Sequence, residues 1–341
     1  MSDGVSMTLE EVHATVFEVL RVQGCSEPQA EAIAETITAA ERDRCASHGL
    51  FRIPFYVRAI QGGIVRPRAV PTFTDLAPGV LKIDGGLGFA PLALKLGAEP
   101  IAERARTQGI AALALTNVCH IAALWPEVER LAEWGLVAFA FTGASSFVAP
   151  AGGTRPLYGT NPMAFGWPRA GHPPMVFDQA SSASARGEIQ LHLRDGKPIP
   201  EGWAIGPDGE PTTDPRSALE GAQLPFGGHK GASIALMVEL LAGALIGSVF
   251  SFEAQALDTN KSGVPPGGEF MIVIDPSRCI AGEGAGVQLQ HAEALFERIL
   301  AQEGTRLPSQ RRFEMRAETA RDGISIPAAL ATEIDALRTG V

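Results

Sequence analysis

Positive charge is scarce in this 341-residue sequence, where 28 Lys and Arg face 38 Asp and Glu for a formal net charge of -10. Neutralising a phosphate backbone needs basic surface, so non-specific nucleic-acid binding is excluded. One short basic cluster, Arg306 to Arg312, is sized for a single phosphate group. Cysteine is equally sparse. Cys25, Cys45, Cys119 and Cys279 are far apart with no C-x-x-C pair, which excludes a disulfide framework or structural zinc site and reads as reduced thiols of a cytosolic protein. The seven histidines form no His-x-x-x-His, and Gly143-Ala144-Ser145-Ser146 does not make a Gly-x-Ser-x-Gly elbow. Metal hydrolysis and serine hydrolysis therefore have no seed. A dinucleotide fingerprint is missing too: Gly86-x-Gly88-x-x-Pro91 has proline at its third small position and no strand-ending acid at the right distance, so it reads as a tight turn. Met1-Ser2-Asp3-Gly4 is polar and carries no secretory signal. The apolar run Ala232 to Phe250 approaches membrane length, but Glu239 and its glycines and serines mark it as a helix buried in protein.

What is present reads as a mixed α/β chain. Thr8 caps a first helix with apolar residues Leu9, Val12, Val16, Val19 and Leu20, and Ser26 with Pro28 opens a second that runs to about Arg44. Gly49 to Ala59 reads as a third helix. Val80 to Ile83 is a short strand and Asp84 to Gly88 a loop. An Ala- and Leu-rich helix then ends near Gly109, followed by a strand from Ile110 to Thr116 and a helix from about Ile121 to Trp134. Leu136 to Thr142, Met175 to Phe177 and Phe270 to Ile274 are further strands. Gln288 to Glu303 is an amphipathic helix closed by Gly304, and Ser325 with Pro327 starts a terminal one. Proline and glycine are dense over Ala149 to Pro174 and Pro198 to Pro215, which read as long functional loops.

Chemistry concentrates at Ser47-His48-Gly49-x-x-Arg52. Four residues apart at a helix start, His48 and Arg52 share a face. Guanidinium forks onto a carboxylate and imidazole moves a proton near the reacting carbon, which suits a 2-oxo or 2-imino acid. Alone, the segment reads equally well as a helix entry. Three other stretches add weight. Asn117-x-x-His120 follows the end of a strand, where ligands bind in such sheets. Tyr158-Gly159-Thr160-Asn161-Pro162-x-Ala164-x-Gly166 is a polar loop. Phe226-Gly227-Gly228-His229-Lys230-Gly231 opens the long apolar helix, and its amides could hold phosphate.

Together these stretches resemble the malate/L-lactate dehydrogenase family of the type unrelated to the Rossmann enzymes, over nearly the whole chain. Phe226 to Gly231 and His120-Ile121-Ala122-Ala123-Leu124-Trp125 look most like the branch that reduces Δ1-piperideine-2-carboxylate and Δ1-pyrroline-2-carboxylate with NADPH. The resemblance implies an α/β, non-Rossmann NAD(P)-binding fold with a helical N-terminal region. It implies a helical substrate domain over 1–115, completed by 288–341, and an NADPH-binding domain with long loops over 116–287. It also implies a cytoplasmic homodimer acting on a small cyclic imino acid, with no nucleic-acid or membrane partner. By resemblance Ser47 and His48 match a proton-relay pair, Arg52 the residue that holds the substrate carboxylate, and Thr160 a substrate contact. His120, Ile121, Ala122, Ala123 and Leu124, then Asp178, Gln179, Ala180 and His229, match cofactor contacts. Arg306, Arg311 and Arg312 fall at a further cofactor contact and favour the 2′-phosphate of NADPH over NADH. Where the relay expects aspartate, this chain has Glu188, one methylene longer. The alternatives are a 2-hydroxy-acid dehydrogenase of the same family, acting on malate, lactate or ureidoglycolate, and a non-catalytic dinucleotide or small-acid sensor.

Overall fold

The computed structural model describes residues 4–259, 262–281 and 285–339; Met1 to Asp3, read above for a signal, lie outside the described residues. The chain opens on β1 (Gly4–Met7) and α1 (Leu9–Val22). Thr8 caps α1 reciprocally with Glu11: the hydroxyl accepts from the Glu11 amide at 3.1 Å, and the Glu11 carboxylate accepts from the Thr8 amide at 2.7 Å. After α2 (Glu27–Arg42) the expected helix from Gly49 is delayed. Two 3-10 turns, Ala46–His48 and Leu50–Arg52, precede α3 (Ile53–Gln61). The cause is Glu41, whose buried carboxylate takes the Leu50 amide at 2.7 Å and occupies the space that a Cβ on residue 49 would need. Only glycine allows that approach.

A sheet follows from β2 (Thr72–Ala77), β3 (Val80–Phe89), α4 (Ala90–Gln108), β4 (Ile110–Cys119), α5 (Trp125–Glu133), β5 (Val137–Thr142), β6 (Met163–Trp167) and β7 (Met175–Gln179). A small unit follows: α6 (Arg186–Arg194), β8 (Ala204–Ile205), β9 (Pro211–Thr212), α7 (Pro215–Glu220) and β10 (Ala222–Gln223). Then come α8 (His229–Ala242), α9 (Ser251–Leu257), β11 (Pro266–Ile274), α10 (Ala285–Leu300), α11 (Gln310–Asp322), β12 (Ile324–Pro327) and α12 (Ala328–Thr339).

The seven-stranded sheet runs β2-β3-β4-β11-β5-β6-β7. Among the described residues only β3 and β4 pair in parallel, joined through α4; the other neighbours are antiparallel. A Rossmann sheet is parallel throughout, so the missing fingerprint and this topology agree. Alternation sorts the two faces. Leu113, Leu115, Ala138, Ala140, Met271 and Val273 join one core with α4 and α5, while Ala114, Phe141 and Phe270 join another with Val238 and Ala242 of α8. The N-terminal helices have their own core around Val16, Leu20, Ile33, Ile53 and Tyr56.

Several expectations change. Residues 84–88 are a bulge inside a single strand, held because the Asp84 carboxylate accepts from the Gly86 amide at 2.8 Å and from Asn117 Nδ2 at 2.9 Å. Pro198 to Pro215 is no structureless loop, since it contains β8 and β9 over a satellite core of Ile189, Ile199, Ala204 and Ala218. The Gly-rich polar loop ends earlier than read, at the start of β6. Ser325 lies in β12, paired with β1, and caps no helix. β4 runs through residues 115 and 116, so the division expected there falls inside a strand of the shared sheet. β12 and α12 do return to the N-terminal helices, α12 packing on α1 and α3. The apolar run is buried on one face only: Leu236, Leu240 and Leu245 are 45%, 49% and 62% exposed.

Candidate active site

The first 3-10 turn presents Ser47 beside His48, with Ser47 Oγ 3.1 Å from His48 Nδ1. Arg52, at the end of the second turn, donates from Nε to the Ser47 carbonyl at 2.7 Å. That bond fixes the guanidinium while its two terminal nitrogens have no hydrogen-bond partner among the described residues, the geometry needed to fork onto a carboxylate. Phe51 and Phe55 lie 6.0 and 5.5 Å from the guanidinium carbon. Burial, with help from Arg52 and His120, pushes the His48 imidazole from its ordinary 6.5 down to about 3. His48 is therefore neutral at physiological pH, able to accept or pass a proton through the Ser47 hydroxyl.

The turn between β4 and α5 carries the second histidine. His120 Nδ1 sits 2.7 Å from Glu269 Oε2, and the two side chains are 4% and 0% exposed. Its Nε2 is buried without a hydrogen-bond partner, as are Glu269 Oε1 and Glu127 Oε2. Burial alone would discharge His120, but the carboxyl groups of Glu269, Glu127 and Asp178 outweigh it and hold the imidazole above its ordinary value. Ile121 and Ala122 are half-buried, whereas Ala123 and Leu124 are core side chains that can offer a ligand only their backbone. Asp178, at the end of β7, is already engaged: its Oδ2 accepts from the Leu124 and Trp125 amides at 2.7 and 3.1 Å, capping α5. Burial raises its carboxyl above the usual range, and those two amides offset part of the rise. Gln179 is exposed and Ala180 half-buried beside it.

Thr160 is half-buried, its carbonyl accepting from the Ser181 amide and hydroxyl. The next residue explains the loop. Asn161 is fully buried at φ 35° and donates to Ala235 O at 3.0 Å and Glu239 Oε1 at 2.8 Å, while its Oδ1 accepts from Ser251 Oγ. Glu239, which marked the apolar run as buried in protein, is the anchor that ties this loop to α8. His229 and Lys230 are exposed at the start of α8. Glu188 is also exposed, in the first turn of α6, with no hydrogen bond to His48 among the described residues. The relay acid expected at Glu188 is thus not assembled onto His48 within this chain.

Arg312 lies with its guanidinium carbon 4.9 Å from the Trp125 ring and its Nη1 buried without a partner, on the same side as the α5 turn. Arg306 and Arg311 are exposed nearby in sequence. Arg316, not singled out from the sequence, forks onto Asp43 at 2.7 Å through both nitrogens and reaches Glu129 at 2.6 Å, fixing α11 against α2 and α5. Unspent buried donors on His120 and Arg312, with the basic 306–312 segment, fit a polyanionic dinucleotide. Glu269 and Glu127 were missed by sequence reasoning. The strand was read as starting at Phe270, four residues too late, which left Glu269 outside it; a charged residue leading an apolar β-run was the available signal. Glu127 looks like an ordinary first-turn acid.

With this site defined, comparison with known proteins is informative. Residues 7–335 match the family model described as malate/L-lactate dehydrogenase, and the chain belongs to that family. A Δ1-pyrroline-2-carboxylate/Δ1-piperideine-2-carboxylate reductase of Pseudomonas aeruginosa is 53% identical over 98% of this chain and 99% of its own. A Δ1-pyrroline-2-carboxylate reductase of Pseudomonas fluorescens is 49% identical over 99% and 100%. The crystal structure of the Δ1-piperideine-2-carboxylate reductase of Pseudomonas syringae superposes with a TM-score of 0.91 at 39% identity, covering 98% of this chain and 99% of that one. The chain is an oxidoreductase, and its family works with a nicotinamide dinucleotide.

Proposed function

We propose that this enzyme reduces Δ1-piperideine-2-carboxylate to L-pipecolate and Δ1-pyrroline-2-carboxylate to L-proline, with NADPH rather than NADH. The observation that carries the reading is a pinned Arg52, its terminal nitrogens unpartnered among the described residues, beside a neutral Ser47–His48 pair, in a chain whose full-length relatives bear those substrates in their names. The nicotinamide supplies the hydride when bound. Arg52 grips the substrate carboxylate, and Thr160 helps fix the ring. Hydride addition at C2 sends the C=N pair onto nitrogen. In an iminium that pair cancels a positive charge, so a neutral His48 suffices. A 2-oxo acid would leave an alkoxide and need a proton delivered in the same step.

Arg306, Arg311 and Arg312 support the preference for a 2′-phosphate. Glu188, exposed on α6, keeps a proposed relay role only if another element brings it to His48. The exposed leucines of α8 and its following turn, with Phe252 at 49% and Leu257 at 52%, support a homodimer. We place the enzyme in the cytoplasm. The test is NADPH and NADH absorbance followed in parallel with both cyclic imino acids, pyruvate and oxaloacetate. Turnover with the imino acids and NADPH is expected; turnover with the oxo acids alone would overturn the substrate class.

A further inference from the structure

We propose that Glu269 is a positioning residue: it holds His120 so that the buried, unpartnered Nε2 meets the bound dinucleotide as a charged hydrogen-bond donor to one of its oxygens. The inference rests on the dinucleotide-dependent reading of the site, not on which acid is reduced.

The fold builds this pair deliberately. β11 is the central strand of the sheet, and alternation places Glu269 on the same face as Met271 and Val273, toward α5. Register sets Glu269 opposite Leu115 of β4 and Thr142 of β5, so no neighbouring strand leaves it room to turn to water. A fully buried carboxylate in mid-sheet is costly unless paired. Its one described partner is His120 Nδ1 at 2.7 Å. Contact at Nδ1 leaves Nε2 across the ring, and it too is cut off from water, without a partner among the described residues. A buried donor left unpaired in the free protein is what a ligand atom would complete.

The charges around His120 favour the doubly protonated ring. Glu269 faces it from β11, Glu127 from the first turn of α5 and Asp178 from β7, while His48 lies close enough for the two rings to interact. Burial and the neighbouring Glu269 push the Glu127 carboxyl up to about 8, and of the acids around the ring Glu269 is the one within hydrogen-bond distance, at 2.7 Å. Glu127 also lines a cavity of about 80 Å³ between α2, α4 and α5, with Glu35, Lys95 and Arg130 around it. Resemblance had placed a carboxylate–histidine unit at Glu188 and His48. Among the described residues the buried carboxylate–histidine unit is Glu269 with His120.

The test starts with the ligand-free enzyme. Imidazole nitrogen NMR should show His120 titrating above 6.5 and His48 remaining neutral down to low pH. Glu269→Gln keeps the size and the acceptor oxygen but removes the charge. It should lower the His120 titration by more than one pH unit and weaken NADPH and NADH alike by about tenfold at pH 7.5, a charge-assisted bond having been lost. Glu269→Asp should recover part of the affinity. A purely structural role for Glu269 predicts wild-type binding and titration in Glu269→Gln, which would overturn the proposal. If Glu269→Gln does not fold, the wild-type titration decides: a His120 ring that is neutral at pH 7 contradicts it. Failure to reduce cyclic imino acids would sink the substrate reading while leaving these two readouts intact.

Discussion

His48 and His120 lie in one electrostatic neighbourhood and both are withdrawn from water, yet burial acts on them with opposite outcomes. His48 is supported by a serine hydroxyl and faced by a guanidinium, so burial drives it to the neutral form. His120 is backed by a carboxylate on the central strand, with two more acids nearby, and its ring is held above its ordinary value. The difference lies in what each strand or turn puts behind the ring. A 3-10 turn offers backbone and small side chains; the central strand offers Glu269. One pocket thereby pushes one imidazole toward the neutral form and another toward the charged form, from the same residue type.

The comparison can be broken at several points. The largest effect is expected at Arg52, whose removal takes away both the carboxylate fork and one cause of the neutrality of His48. Arg52→Ala should lower kcat/KM for the imino acid about a thousandfold, mostly through KM, since two charge-assisted bonds are lost. Steady-state kinetics checks this. Asn161→Ala should cost about 2–4 kcal/mol of stability by leaving Glu239 and Ser251 without their buried partner, read from urea unfolding. His48→Ala should cost imine reduction less than about tenfold, against about a hundredfold or more for any residual oxo-acid reduction.

Stability against pH separates the two rings by sign. The folded-state value of His48 is depressed, so its contribution is present above 6.5 and is lost as pH falls toward 3. That of His120 is raised, so its contribution is complete below 6.5 and is lost as pH rises through its folded value. Thermal melts of His48→Asn should be less acid-sensitive than wild type between those limits, and those of His120→Asn less alkali-sensitive. The effect confined to one cofactor is expected at the basic segment. Arg311→Ala with Arg312→Ala should raise KM for NADPH about tenfold and leave that for NADH unchanged.

Much of this was legible in the sequence because it rests on local rules. The Thr8 cap, the α4 helix ended by Gly109 and the strands β3, β4, β5, β7 and β11 of the central sheet each follow from periodicity and capping chemistry, whereas β2 and β6 were not read. The Ser47–His48–Arg52 arrangement was visible as spacing, although the turn that delivers it is 3-10 because of Glu41, a helix away. What escaped was long-range. The Glu269–His120 bond joins residues 149 apart in sequence, and the Asn161–Glu239 bond residues 78 apart. No local pattern announces such pairs. Asp178 was read as a contact for the cofactor, and the fold shows its Oδ2 already capping α5, which sequence could not foresee without knowing that β7 ends beside that helix.

The most direct test of the reductase assignment is transfer of the label from 4-deuterated NADPH. The account predicts L-proline and L-pipecolate carrying one deuterium at C2 when the cyclic imino acids are supplied. Unlabelled imino-acid products, or label appearing only in lactate or malate from the corresponding oxo acids, would contradict it.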